Sequence, residues 1–227
     1  EYDPMDRITA DTDENGVRRT YEYDEKGNLI KYTDGLGNSE TYAYDKNNNM
    51  VSLTNRNGNT YTYKYDALNR PVSETDPKGN TKSFGYDKNS KITSVTDRNG
   101  NTTKYTLDGN GNIVTVTDAA GTESHYEYDS MNRLTKISMH RVDTVHKVDE
   151  WQDTLYTYDY RGLVKTEVNA KGDGKIFVYD ENGNLISKTD EDGYVTEYGY
   201  SPVNLVNVVN YNDAKSATYL YNGTGEL

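Results

Sequence analysis

A 21-residue period runs through nearly the whole chain, and no other property of the sequence constrains it as much. The stretch YDEKGNLIKYTDGLGNSETYA begins at Tyr23, and its pattern returns at Tyr44, Tyr65 and Tyr86. Backwards the register reaches Tyr2; forwards it reaches Leu107 and Tyr128. After one longer interval of 30 residues it resumes at Tyr158 and continues through Tyr179, Tyr200 and Tyr221. A fixed period of this size means a repeat array, in which each unit packs only on its neighbours.

Numbered from the leading Tyr as position 1, position 20 is aromatic in every repeat, as in Tyr42, Tyr63 and Phe84. Positions 20 and 1 stand two residues apart, so in a strand both rings share a face. Thr60-Tyr-Thr-Tyr-Lys-Tyr65 shows that alternation with β-favouring residues. Position 7 is apolar throughout (Ile8, Leu29, Met50, Pro71, Ile92, Ile113, Leu134, Val164, Leu185, Val206) and opens a second short strand that ends near position 11. Asp, Gly and Asn interrupt the chain every few residues, which leaves no room for helices.

Two turns join these strands. One follows the leading Tyr-Asp, as in Asp24 to Asn28 with Gly27; the other is Asp-x-x-Gly-Asn, as in Asp34 to Asn38 with Gly37. Gly79 and Gly100 hold the same place in later copies, where positive φ is required. Each repeat therefore reads as a β-hairpin plus a connection. A lone hairpin is marginal in water, so the hairpins must stack side by side. The predicted fold is all-β: tandem hairpins forming a continuous curved or spiralling antiparallel sheet, a partial shell.

Composition agrees only once the register is known. Leu, Ile, Val and Phe total 38 of 227 residues and the net charge is −12, values usual for disordered chains. Here 23 tyrosines at fixed places supply the missing apolar surface. The acidic balance argues against nucleic acid and anionic membranes, and no apolar run is long enough to span a bilayer. The absence of Cys excludes disulfides and thiolate metal sites. Residues 1–227 read as one array, an excerpt of a longer protein, since the chain opens one residue before a repeat and stops seven residues into another.

Two places break register. From Met139 to Gln152 a fourteen-residue insert, MHRVDTVHKVDEWQ, carries the only Trp and two of the three His. Val142, Val145 and Val148 follow a helical spacing and are expected to rest on the sheet as a short helical stretch. The repeat from Tyr200 has Ser201 and Pro202 in place of the Asp-led start, and Ala214 where the turn Gly stands elsewhere.

The unit YD-x-x-G-N-L-I-x-x-T-D-x-x-G-N-x-x-x-Y resembles the YD repeat, also called the Rhs repeat, over essentially the whole chain. Relatives include bacterial Rhs toxins, insecticidal toxin complexes, Gram-positive wall-associated proteins and teneurins. The resemblance implies hairpins that spiral into a hollow shell. In the bacterial toxins such a shell encloses a C-terminal toxin domain; in teneurins it supports adhesion. The DPxGL-like cleavage segment of many bacterial members is not recognisable, because Asp76-Pro-Lys-Gly79 is the repeat's own turn in register.

On this reading the repeat residues Tyr23, Asp24, Gly27, Leu29, Asp34, Gly37, Tyr42, Tyr44, Tyr65, Gly79, Tyr86, Gly100, Tyr128, Tyr158, Tyr179 and Tyr200 are structural. Asp11, Asp13, Asn15 and Glu22 match the spacing of an EF-hand calcium loop, but each has a place in the repeat, and flanking helices are missing. His140 and His146, with Asp143, Asp149 or Glu150, offer zinc-type ligands at a spacing that fits no named pattern; with Trp151 they are candidates for partner contact. No Ser/His/Asp, Cys/His or phosphate-loop arrangement is present. The expected function is a non-enzymatic wall segment of a bacterial secreted or surface toxin, without cofactor. Its partners are neighbouring repeats and a C-terminal toxin domain. The alternative is a cell-surface or cell-wall adhesion module that stacks glycans on exposed tyrosines.

Overall fold

The computed structural model describes residues 1–211 and 215–221, so Ala214 lies outside the described residues. Among the described residues there are twenty strands and no helix. Compact packing divides the chain into two bodies, Glu1–Tyr105 and Thr106–Leu227.

The first body is an antiparallel meander. Strands β1 (Ala10–Thr12), β2 (Arg18–Tyr23), β3 (Leu29–Thr33), β4 (Ser39–Tyr44) and β5 (Met50–Thr54) each pair with the next in sequence. Strands β6 (Thr60–Tyr65), β7 (Pro71–Thr75), β8 (Thr81–Tyr86) and β9 (Ile92–Thr96) continue it, and β10 (Thr102–Leu107), which pairs with β9, ends two residues past the division. The second body repeats the plan with β11 (Ile113–Thr117), β12 (Glu123–Tyr128), β13 (Leu134–Asp143), β14 (Val148–Tyr158) and β15 (Val164–Val168). It ends with β16 (Gly174–Tyr179), β17 (Leu185–Thr189), β18 (Val195–Tyr200), β19 (Val206–Tyr211) and β20 (Ser216–Thr218). Positions 7 to 11 and the run ending at the next leading Tyr are thus the two strands of every repeat, as their spacing predicts.

A β-bulge precedes eight of the leading tyrosines. Tyr42 faces Leu53, but Tyr44 faces Met50, so the register slips by one residue between Ala43 and Tyr44. The same slip occurs at Tyr23, Tyr65, Tyr86, Tyr128, Tyr158, Tyr179 and Tyr200. Its effect is to bring positions 7 and 10, three residues apart and of opposite parity, opposite two tyrosines that share a face. Among the described residues only Ala10, Val209 and Ser138 are buried, and no side chain is fully enclosed. The apolar contact is therefore spread along the sheet as half-covered rings, the distribution expected when each repeat touches only its neighbours.

The insert is where expectation and structure part. Residues 139–152 extend β13 and β14 into one long hairpin, with Met139 opposite Gln152, His140 opposite Trp151 and Asp143 opposite Val148. The turn occupies residues 144–147, with Lys147 at φ 57°. No helical stretch forms: Val142 is 56% exposed and Val145 82% exposed, instead of resting on the sheet. Two β-branched strand ends extend the existing ladder and satisfy their backbone groups, which a few helical residues would leave unpaired.

Candidate functional site

The repeated chemistry lies at the turns. In the turn after each leading Tyr (the lead turn), the Asp N–H donates to the carbonyl four residues on, and the N–H three residues on returns to the Asp carbonyl. For Asp24 these bonds measure 2.9 Å to Asn28 and 3.1 Å from Gly27. Asp24 Oδ1 also accepts the Lys26 and Asn28 N–H groups at 2.9 and 2.8 Å, and Oδ2 accepts Asn28 Nδ2 at 2.9 Å. One carboxylate therefore holds the whole turn. The return turn repeats this scheme at Asp34, where Leu36 and Asn38 N–H groups donate at 2.9 Å each. These bonds hold the carboxyls of Asp24, Asp45, Asp76, Asp97, Asp108 and Asp180 below the usual carboxylate value of 3.8, with the Asn side-chain amide the largest cause. Ser201, which stands in for Asp, keeps the turn: its hydroxyl accepts the Leu205 N–H at 3.2 Å.

Six leading tyrosines tie their hairpin to the one before. The hydroxyl of Tyr65 donates to the Met50 carbonyl at 3.1 Å, that of Tyr86 to Pro71 at 2.7 Å, and that of Tyr128 to Ile113 at 3.0 Å. Tyr158, Tyr200 and Tyr221 reach Leu134, Leu185 and Val206 at 2.6, 2.9 and 2.7 Å. In each case the acceptor is position 7 of the preceding repeat, a carbonyl that Phe or Leu could not satisfy. Position-20 tyrosines are held differently. Burial, with Glu40 accepting the hydroxyl at 2.9 Å, pushes Tyr42 up to about 12.

A cationic clamp recurs at Arg7, Arg70 and Arg133, each three repeats after the last. Arg70 pairs with Asp66 through Nε at 2.7 Å, donates Nη1 to the Asp87 carbonyl at 3.1 Å, and lies 4.5 Å over the Tyr86 ring. Arg7 and Arg133 do the same over Tyr23 and Tyr158, at 4.8 and 4.6 Å. These arginines were missed from the sequence because they depart from the consensus Asn at position 6. Comparing that position between successive repeats, instead of with the consensus, is the signal that finds them.

The residues that match a calcium loop are not gathered into one. Asp11 pairs with Arg19, Asp13 heads a return turn by accepting Asn15 and Val17 N–H groups at 2.9 and 3.0 Å, and Glu22 takes Lys31 at 2.9 Å. On the hairpin arm, His140 and Trp151 do meet, with ring centroids 4.9 Å apart, and His125 joins them at 4.5 Å from the same indole. His140 Nε2 lies 2.6 Å from Asp149 and His125 Nε2 lies 2.9 Å from Glu123. His146 stands apart at the tip, 2.7 Å from Asp143. Among the described residues no three His, Asp or Glu side chains group as metal ligands.

Tandem hairpins locked by Asp turns and leading tyrosines define a YD-repeat, or Rhs-repeat, protein. The Rhs repeat pattern matches residues 2–39, 23–60 and 44–81, and the teneurin YD-shell pattern matches residues 73–227. The chain belongs to the YD-shell family. No protein of curated function matches it. Among solved structures, it is similar to TcdB2-TccC3 without its hypervariable C-terminal region, at 15% identity and TM-score 0.61, covering 99% of this chain and 16% of that one. It is also similar to the Tc holotoxin pore of Photorhabdus luminescens, at 14% identity and TM-score 0.57, covering 91% of this chain and 13% of that one. The complex TcdB2-TccC3-TEV matches at 16% identity and TM-score 0.56, covering 93% and 15% of the two chains. The chain thus spans about a sixth or less of the structures whose fold it shares.

Proposed function

We propose that this chain is a non-enzymatic wall segment of a hollow β-shell that encloses a C-terminal effector in a secreted bacterial toxin. On this reading residues 1–227 are one stretch of the array. One observation carries the reading: the groups that recur with the repeat are consumed in building it. Turn carboxylates hold their own backbones, and leading tyrosine hydroxyls hold the previous hairpin, which leaves the recurrent chemistry with no substrate to act on. The reading is supported by the fold shared with TcdB2-TccC3 without its hypervariable C-terminal region and with the Tc holotoxin pore.

Protease protection of the full-length protein from its native host tests this. An effector segment that survives digestion while intact, and is degraded once the array is opened with denaturant, is the expected result. A full-length protein with no shielded segment, or with wall-anchoring modules at its end, overturns it.

The second reading, adhesion through glycan stacking, is favoured by aromatic exposure in the second body. Tyr160 is 88%, Tyr194 57% and Trp151 45% exposed. Reproducible glycan-array binding that disappears in Tyr160→Ala or Trp151→Ala would establish it. Binding unchanged by either substitution would remove those rings from consideration.

A further inference from the structure

We infer that position 6 of each repeat and position 5 of the next form a matched pair that determines which hairpin can stack on which. This concerns how any such array assembles and does not depend on what the array encloses. Two solutions recur along the chain. In the first, both positions are Asn. Asn28 Nδ2 donates to Asn48 Oδ1 at 3.2 Å, Asn49 to Asn69 at 2.8 Å, Asn112 to Asn132 at 2.9 Å and Asn184 to Asn204 at 3.0 Å. Each of these donor amides also bonds its own turn's Asp at 2.9 Å, so both its hydrogens are used.

In the second solution a cation faces a residue with little or no side chain. Arg7 Nη1 reaches past Gly27 to the Asp24 carbonyl at 3.1 Å, and a Cβ on Gly27 would sit 3.5 Å from that nitrogen. Arg133 passes Gly162 in the same way, and Arg70 meets Ser90, whose hydroxyl lies 3.2 Å from Nη1. Leu163 faces Gly183, and there Arg161 takes over the Asp180 carbonyl. The sequence keeps the same rule at Lys91, which is followed by Gly111. Every Asn at position 6 is answered by Asn at position 5, and no other residue at position 6 is.

The physical basis is reach and acceptor supply. An Asn amide is short and needs a side-chain oxygen brought to it. Asn tolerates positive φ well enough to present one, at φ 66° in Asn48 and 59° in Asn69. An Arg fork carries its own reach to a backbone carbonyl, and a bare Gly leaves its path open. An Asn facing Gly would exchange a fixed side-chain acceptor for water. An Arg facing Asn would put an amide in the guanidinium's path.

A double-mutant cycle on the full chain, read as the urea midpoint, tests the pairing. Asn69→Gly alone removes the acceptor of Asn49, and of Asn47 as well, whose Nδ2 lies 2.9 Å from Asn69 Oδ1. It should lower the midpoint even though Gly suits positive φ. Asn49→Arg alone should also lower it. Asn49→Arg with Asn69→Gly rebuilds the Arg–Gly solution and should recover most of the loss. The converse conversion, Arg7→Asn with Gly27→Asn, should behave alike. Pairing Asn49→Arg with Asn132→Gly, which share no junction, should be additive. Additivity at both adjacent junctions would overturn the pairing, as would equal coupling between the two unrelated positions.

Discussion

The lead turns and the return turns have the same backbone bonds and opposite tolerance for side chains. Apart from the arm, whose turn has Lys147 at φ 57°, all eight described return turns carry Gly at the one residue where positive φ is needed: residues 16, 37, 58, 79, 100, 121, 172 and 193. The lead turns carry Gly in four cases and a side chain in six: Asp6, Asn48, Asn69, Ser90, Asn132 and Asn204. The difference follows from what stands next to each turn. A lead turn receives a donor from the preceding repeat, so an Asn oxygen there makes a bond that offsets the cost of left-handed backbone. Return turns have mainly ion pairs across repeats, such as Arg56 with Asp34 at 3.3 Å, made between partly exposed groups that contribute little. The lead turns thus bind repeat to repeat, while the return turns only reverse the chain.

The largest expected effect breaks a return turn. Gly79 and Gly100 sit at φ 88° and 86°, and a Cβ on either would meet nothing within 4 Å. Gly79→Val therefore isolates backbone strain from packing, and a loss of about 2 kcal/mol by urea unfolding is expected for a β-branched residue held there. Gly79→Asn should cost less than about 1 kcal/mol, because Asn enters that region readily. Equal losses for Val and Asn would show that something other than φ governs these turns.

Next comes the tie between hairpins. Tyr86→Phe keeps the ring under Arg70 but removes the 2.7 Å bond to the Pro71 carbonyl. A loss of about 1 kcal/mol is expected, as for a single hydrogen bond. A midpoint unchanged from the parent would mean that water replaces the hydroxyl at no cost.

These two effects were unequally legible in the sequence. The 21-residue register located the strands, from Leu29–Thr33 to Thr60–Tyr65, because side-chain alternation and turn residues are local signals. It also located the turn glycines. It did not reveal the bulge before the leading Tyr, nor why that residue is Tyr and not Phe. Both depend on which residue of the neighbouring strand lies opposite, and a consensus of single repeats carries no such information. The pairing of Asn49 with Asn69, twenty residues apart, was hidden for the same reason. The arm was misread because Val142, Val145 and Val148 satisfy a helical spacing, while the pairing of His140 with Trp151 is visible only across the hairpin. Of the proposed contact residues, His140 and Trp151 do meet, but His125, their third partner, sits in an ordinary strand position and carried no signal.

Acid should act on both kinds of turn, since the carboxyls that head them are shifted the same way. Asp24 and Asp108 in lead turns and Asp76 and Asp97 in return turns are held below 3.8 in the folded chain. A folded value below the unfolded one contributes stability that is complete above the unfolded value, near 3.8, and is lost as pH falls through the folded values. Urea midpoints should therefore be level from neutral pH down to about 5 and fall progressively below about 4. A midpoint already falling between about pH 7 and 5 would show that groups other than these turn carboxyls govern the acid loss.

The smallest effect separates charge from geometry at a turn head. Asn55 and Asn169 head return turns with no charge, and Asn55 Oδ1 accepts the same two N–H groups, at 3.0 and 3.1 Å, that Asp97 Oδ1 accepts at 2.8 and 2.9 Å. An amide oxygen therefore serves the turn geometrically. Asp97 differs in also taking Asn101 Nδ2 on its second oxygen at 3.0 Å. Asp97→Asn should lower the urea midpoint at pH 7 by less than Tyr86→Phe does, and should remove this turn's share of the acid loss. Should Asp97→Asn cost more at pH 7 than Tyr86→Phe, the carboxylate charge would outweigh the inter-repeat tie, and the contrast between the two kinds of turn would no longer hold.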